Sequence, residues 1–352
     1  MIDLLQAVGS GIFVGLVYAL LGLCIVIIFK ASEAFNFAVG EFLVIGSFLF
    51  YILFFGENLP LNRALPLGIL IFLFFSFILI FDKGCRLLTA LPLGLVAGSF
   101  IFYVLFYGLK LPSLISSSLF RFLIALPLGL VGAGIVGVIV ERLTIKPLLG
   151  RSPISMTMVA LGLWFFLRAC VQLIWGSHAY PFFLDLPDIT LESGDFLFLS
   201  DPIWAGILSL LTFGLVIVFL FRTRWGLAIR AVSEDQAKAM AFGIDARFIL
   251  LMIWAISSVC IAVAGIMISN FGALAAGSGI VGLRAIPVVL IGGMDSIVGA
   301  LIGGIIIGIC ESLAGTYIDL VGFKDVVPYL VMLIVLFIRP YGLFGTVRIE
   351  RV

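Results

Sequence analysis

The chain has 352 residues, 63% of them hydrophobic and 11% charged, with a net charge of +1. A soluble domain is about half apolar and about a quarter charged, so the composition argues against a soluble enzyme, a disordered chain or a secreted disulfide scaffold, and the near-zero charge argues against nucleic acid as a partner. The remaining class is an all-α, polytopic transmembrane helical bundle in contact with lipid, because helices satisfy their own backbone polar groups there.

A helix needs about 20 mainly apolar residues to cross the hydrocarbon core. The hydropathy pattern predicts about 11 membrane spans. The first four are Gly9–Phe29, Val39–Phe55, Leu65–Phe81 and Leu87–Tyr107. Phe122–Val140, Ser155–Trp175, Ile203–Phe221 and Phe248–Ser269 follow, then Gly277–Ile291, Ile297–Ala314 and Val326–Ile338. The start, Met1-Ile2-Asp3, lacks the basic segment of a cleaved signal peptide, so the first run is expected to stay in the membrane.

Between the first two spans lies Asn36-Phe37-Ala38-Val39-Gly40-Glu41-Phe42. Glu41 opens an apolar run, where a carboxylate complements the positive end of a helix dipole. An ionisable group at membrane depth is also a functional candidate; both readings stay open. Ala-Leu-Pro-Leu-Gly recurs at Ala64–Gly68, Ala90–Gly94 and Ala125–Gly129. A duplicated helix start explains it better than chance, since proline suits a first turn. Arg168 lies inside the sixth span and needs a partner, with Glu41 or Glu311 available, or room to snorkel. The stretch from Gly176 to Pro202 holds five acids and no Lys or Arg.

The longest basic loop runs from Arg222 to Arg247. Ser233-Glu234-Asp235-Gln236 has capping-box spacing, with Ser233 as N-cap and Gln236 reaching back. Ala237, Met240, Ala241 and Ile244 then recur at helical spacing, and Gly243 stands where a C-terminal cap ends the turn. Such a helix either floats at the interface or docks into a cytoplasmic partner. Further on, Asp295 lies between two apolar runs and is placed to cap the tenth helix or to mark a broken helix on a substrate path. Gly299/Gly303 and Gly304/Gly308 are small-residue pairs that bring helices into close contact.

Of the 20 basic residues, 14 fall in one set of loops and five in the other, which makes the first set cytoplasmic. The N-terminus is then outside and the C-terminus inside. Five scattered cysteines without a CxxC pair and a single histidine, His178, point to no metal site. No Gly-Lys dipeptide occurs, so the chain has no P-loop for ATP. No GxSxG or HExxH motif suggests an enzyme, and no cofactor is expected.

Taken together, these motifs resemble the permease subunits of the branched-chain amino acid ABC importers. The matching stretches include Gly15–Leu20, Asn36–Glu41, Glu141–Leu143 with Lys146–Gly150, and Thr223–Gly226 with Arg230–Val232. Phe242–Asp245, Leu290–Ser296, Gly308–Leu313, Lys324-Asp325 and Arg339–Gly345 continue in family order. The resemblance implies a single permease domain over 1–352 in a bacterial inner membrane. Its partners would be a second permease subunit, two cytoplasmic ATPases and a periplasmic substrate-binding protein. Ser233, Glu234, Asp235, Gln236, Ala237 and Gly243 would couple to the ATPase, within a coupling loop at 222–247. Asn36, Glu41, Arg168, Asp295 and Glu311 are the candidate pathway residues. Three departures stand out: Val39 replaces a usual histidine, Arg168 a usual uncharged polar residue, and 56–121 carries about two extra helices. The expected cargo is a branched-chain or related amino acid, with urea or short amides as variants. The rivals are an ion-coupled secondary transporter or channel and a structural scaffold.

Overall fold

A computed structural model of the chain describes residues 2–56, 117–148, 153–184, 186, 191–193, 196–198 and 200–345. The third and fourth predicted spans, two of the three pentapeptides and most of the 56–121 insertion lie outside them. Among the described residues there are eleven α-helices and very little sheet. Six helices are long and apolar enough to cross a membrane, and Val39–Phe55 and Ala276–Gly292 form shorter apolar segments.

Helix α1 spans Ile2–Ser32, longer at both ends than its predicted span, with Asp3 in the first turn and Lys30 in the last. Both charges complement the helix dipole. Helix α2 covers Val39–Phe55 as expected, and Gly56 ends it in the left-handed region, donating its N–H to the Ile52 carbonyl. Helix α3, Ser118–Val140, runs on through a π turn at Glu141–Ile145 and a 3-10 turn at Lys146–Leu148. The third pentapeptide is not at its start. Pro127 lies in the helix interior, where the ring removes one backbone hydrogen bond.

Helices α4 (Pro153–Trp175), α5 (Ser200–Arg222), α6 (Arg224–Glu234), α7 (Gln236–Ala241) and α8 (Ala246–Ser269) follow. The ninth predicted span is broken: a 3-10 segment at Ala276–Arg284 leads into α9 at Ala285–Gly292. So long a 3-10 run is uncommon, and here it carries three glycines. Helices α10 (Ile297–Tyr317) and α11 (Phe323–Ile338) complete the bundle. A two-residue antiparallel bridge pairs Tyr180 with Leu274 and Pro181 with Ala273.

The centre of the bundle is α1 with α8, both mostly covered, while only 28% of the apolar stretch of α4 is covered. The two glycine pairs of α10 serve different neighbours. A side chain at Gly304 would meet Ala19 N at 2.5 Å and Gly15 O at 2.6 Å, and Gly308 abuts Gly11 and Gly15, all on α1. Gly299 and Gly303 instead meet the backbone of α9 at Gly292 and Val288. Past α11 the chain turns at Gly342 (φ 78°) and stitches itself to the end of α9. Leu343 N donates to Ile291 O at 2.7 Å and Phe344 N to Gly292 O at 3.1 Å.

Candidate functional site

The approach to α2 is a tight polar turn. Asn36 Oδ1 accepts the Ala38 N–H at 3.0 Å, and Asn36 itself is buried. Gly40 then lets the first turn of α2 touch the backbone of Gly279 and Gly282 in the 3-10 segment. That contact fixes the position of Glu41, which is wholly buried. Its Oε1 lies 3.6 Å from Arg168 Nη1 on α4, so Glu41 is the partner Arg168 required. Trp164, one turn earlier on α4, faces the same carboxylate, yet its Nε1–H falls short of hydrogen-bond geometry. A side chain at Gly279 would come within 2.9 Å of Glu41 Oε1.

Among the described residues, both oxygens of Glu41, Asn36 Nδ2 and Trp164 Nε1 are buried without a hydrogen-bond partner. Each unsatisfied buried polar group costs about 1–3 kcal/mol, and native structures keep few of them. The ion pair is therefore loosely made from residues with spare bonding capacity.

Glu311 belongs to a second cluster. On α10 it pairs with Arg284, whose guanidinium also binds Asp325 of α11 and donates to the Tyr18 hydroxyl of α1 at 2.8 Å. Neither Arg284 nor Asp325 is among the candidate pathway residues read from the sequence; the structure makes both part of a partly buried knot. The available signal was the position of Arg284 inside the ninth apolar run. Asp295 lies elsewhere. It sits just before α10, about 24 Å from Glu311 at the usual helical rise, and the α10 cap is Ser296, whose Oγ accepts the Gly299 N–H at 3.0 Å. The five pathway candidates thus divide: Glu41 and Arg168 meet, Asn36 lies just before Glu41 in the chain, and Glu311 and Asp295 stand at opposite ends of α10.

At the basic loop the helix boundaries differ from those expected. Thr223 caps α6, accepting the Gly226 N–H at 3.0 Å, and α6 continues through Ser233 and Glu234. The cap of α7 is Asp235, not Ser233, because the backbone first turns extended there (φ −160°). Asp235 Oδ1 accepts the Lys238 N–H at 3.0 Å and Oδ2 lies 3.1 Å from Lys238 Nζ. The Lys238 backbone N–H, and then its ammonium group, hold the Asp235 carboxyl below its ordinary value. Gln236 does not reach back; its Nε2 donates to the Ala31 carbonyl near the end of α1 at 2.6 Å. The helix buries Ala239 and leaves Ala237, Met240 and Ala241 exposed, so most of the expected apolar stripe faces outward, while Ile244 is half-buried against the core. Phe242 is 87% exposed. Gly243, at φ +82°, ends the helix as expected. A cavity of about 390 Å³ opens between Lys30, Glu33, Met156 and residues 232–237.

The model of one protein family, described as the branched-chain amino acid transport system permease component, matches residues 7–336. The high-affinity branched-chain amino acid transport system permease protein LivH of Escherichia coli (strain K12) is 30% identical over 237 residues, 62% of this chain and 76% of the relative. BraD of Pseudomonas aeruginosa, a permease protein of the same description, is 30% identical over 233 residues, 61% of this chain and 72% of its own. The galactofuranose transporter permease protein YtfT of Escherichia coli (strain K12) is 30% identical over 206 residues, 56% of this chain and 51% of its own. No solved structure matches the chain.

Proposed function

The chain belongs to the family of branched-chain amino acid transport system permease components, and on that premise we propose that it carries branched-chain or related amino acids across a bacterial inner membrane. It acts as the transmembrane subunit of an ATP-binding cassette importer. A second permease subunit, two cytoplasmic ATPases and a periplasmic binding protein complete the machine, and the C-terminus lies in the cytoplasm with the other basic loops.

The observation that carries the coupling role is the outward-facing α7. Its exposed Met240, with the neighbouring Phe242, offers an apolar contact to an ATPase, while Gln236 ties the same helix to the end of α1. A push on α7 is thereby delivered to the most deeply packed helix of the bundle. Transmission of this kind needs contacts that differ between two states.

The test uses the assembled importer in proteoliposomes. Reversing the charges of Glu234 and Asp235 together with Gly243→Val is expected to leave ATP hydrolysis running while leucine uptake falls at least about fivefold, the low end of ordinary coupling energies. Normal coupling in that variant overturns the role of α7. Uptake that persists without any ATPase supports an ion-driven carrier instead.

A further inference from the structure

The two buried arginine clusters differ in how completely they are made. Arg284 is fully engaged, with Tyr18, Glu311 and Asp325 each bound to its guanidinium. Arg168 has one carboxylate oxygen at 3.6 Å and no hydrogen bond to it. A structural arginine–carboxylate pair is normally shorter and frequently bidentate. Among the described residues, the fold therefore keeps unfilled acceptors on a fully buried carboxylate and an unfilled indole N–H beside the Arg168 guanidinium. Charges kept in a membrane bundle generally mark the path of a substrate or ion.

We propose that Glu41 and Arg168 form a binding site for the zwitterionic head of an α-amino acid. When the pair parts, Glu41 accepts hydrogen bonds from the α-ammonium group, and Arg168 binds the α-carboxylate with help from the Trp164 N–H. The proposal rests on the amino-acid reading above and assigns the part of the cargo that all α-amino acids share. It accounts for residues of both signs with open valences at one place, which a cation path or a neutral solute would not need. It also accounts for where the arginine is mounted. Among the described residues, helix α4 is the least covered of the long helices, and its main contacts there are α2, the π turn and the 3-10 segment. It can carry Arg168 and Trp164 away from Glu41 without opening the α1–α8 centre. Gly279, having no side chain, lets the Glu41 carboxylate come within 2.9 Å of where a Cβ would stand.

The experiment uses the full importer with its binding protein and ATPases in proteoliposomes. The probes are labelled leucine and a leucine analogue with a diazirine in its side chain. Glu41→Gln and Arg168→Gln are each expected to lower leucine uptake at least about tenfold, as for a site left with unpaired polar groups. Arg168→Lys, which keeps a cation, is expected to retain a larger share. ATPase stimulation by the loaded binding protein is expected to change less than about twofold in all three, since the coupling contacts lie elsewhere. Diazirine adducts should fall on 39–55, 153–175 or 276–284, compete with leucine, and disappear in the two glutamine variants. If the single variants fail to assemble, the double Glu41→Gln/Arg168→Gln variant, free of orphan charge, decides. Assembly without uptake supports the site, whereas restored uptake shows a mere strut and overturns it. Wild-type uptake in the single variants, or unchanged adducts, also overturns it. If the wild-type importer moves no leucine, the amino-acid reading fails and the site falls with it.

Discussion

Arg284 shows how much one side chain contributes to holding this bundle. It joins α1, α10 and α11 from the end of the 3-10 segment. Removing it leaves Glu311 buried and uncompensated, so Arg284→Ala is expected to cost about 3–5 kcal/mol of stability, read as a lower melting temperature in detergent. Adding Glu311→Gln should recover much of that loss, because the orphan charge is then gone. A double variant no more stable than the single one would refute this account. At this scale the sequence exposes candidates but not their pairing. Glu41 and Arg168 are visible as charges in apolar runs, and hydropathy cannot choose between Glu41 and Glu311 as partners. The choice is made by Gly40 against Gly279, a backbone contact between segments far apart in the chain. Arg284 stands inside the predicted ninth span, but run length and hydropathy do not say which distant carboxylates meet it.

Among elements, α10 is the most demanding, since its two faces require two backbones at close range. Gly308→Val is expected to force α1 and α10 apart, at about 1–3 kcal/mol or more for overpacking. Gly162→Ala on α4, where no atom of another described segment lies within 4 Å of the added methyl, should be neutral or stabilise by about 0.5–1 kcal/mol. Thermal melting of the two purified variants checks both, and equal melting points would contradict the packing described. The spacing of the glycines announces the packing, but not that successive pairs serve different helices. The bounds of α2 are legible because Gly56 permits the left-handed turn that ends it. The α7 cap is less so: Ser233 and Asp235 are both good capping residues. The contest is settled by α6, which starts at its own Thr223 cap and absorbs Ser233 before the chain turns extended. The ninth span misleads for a related reason, since apolar content is the same in a 3-10 turn and an α-helix.

For the molecule as a whole, the uneven distribution of basic residues gives an expected orientation that labelling can test. His178→Cys lies beyond α4 at an exposed position, and Lys238→Cys lies on α7. With the permease expressed alone, a membrane-impermeant thiol reagent should label the first from outside and the second only in inverted vesicles. The opposite pattern would reverse the topology. The membrane class and most helices follow from composition and run length alone, whereas the interior polar clusters depend on distant segments meeting. The stitched C-terminal turn has a consequence of its own. By filling the last carbonyls of α9, Leu343 and Phe344 lock the far end of α11 to the turn that begins α10. Those three helices consequently form one rigid block with α1 leaning on it. Under the proposal above, this block is the stator and the helix that bears Arg168 is the part expected to move.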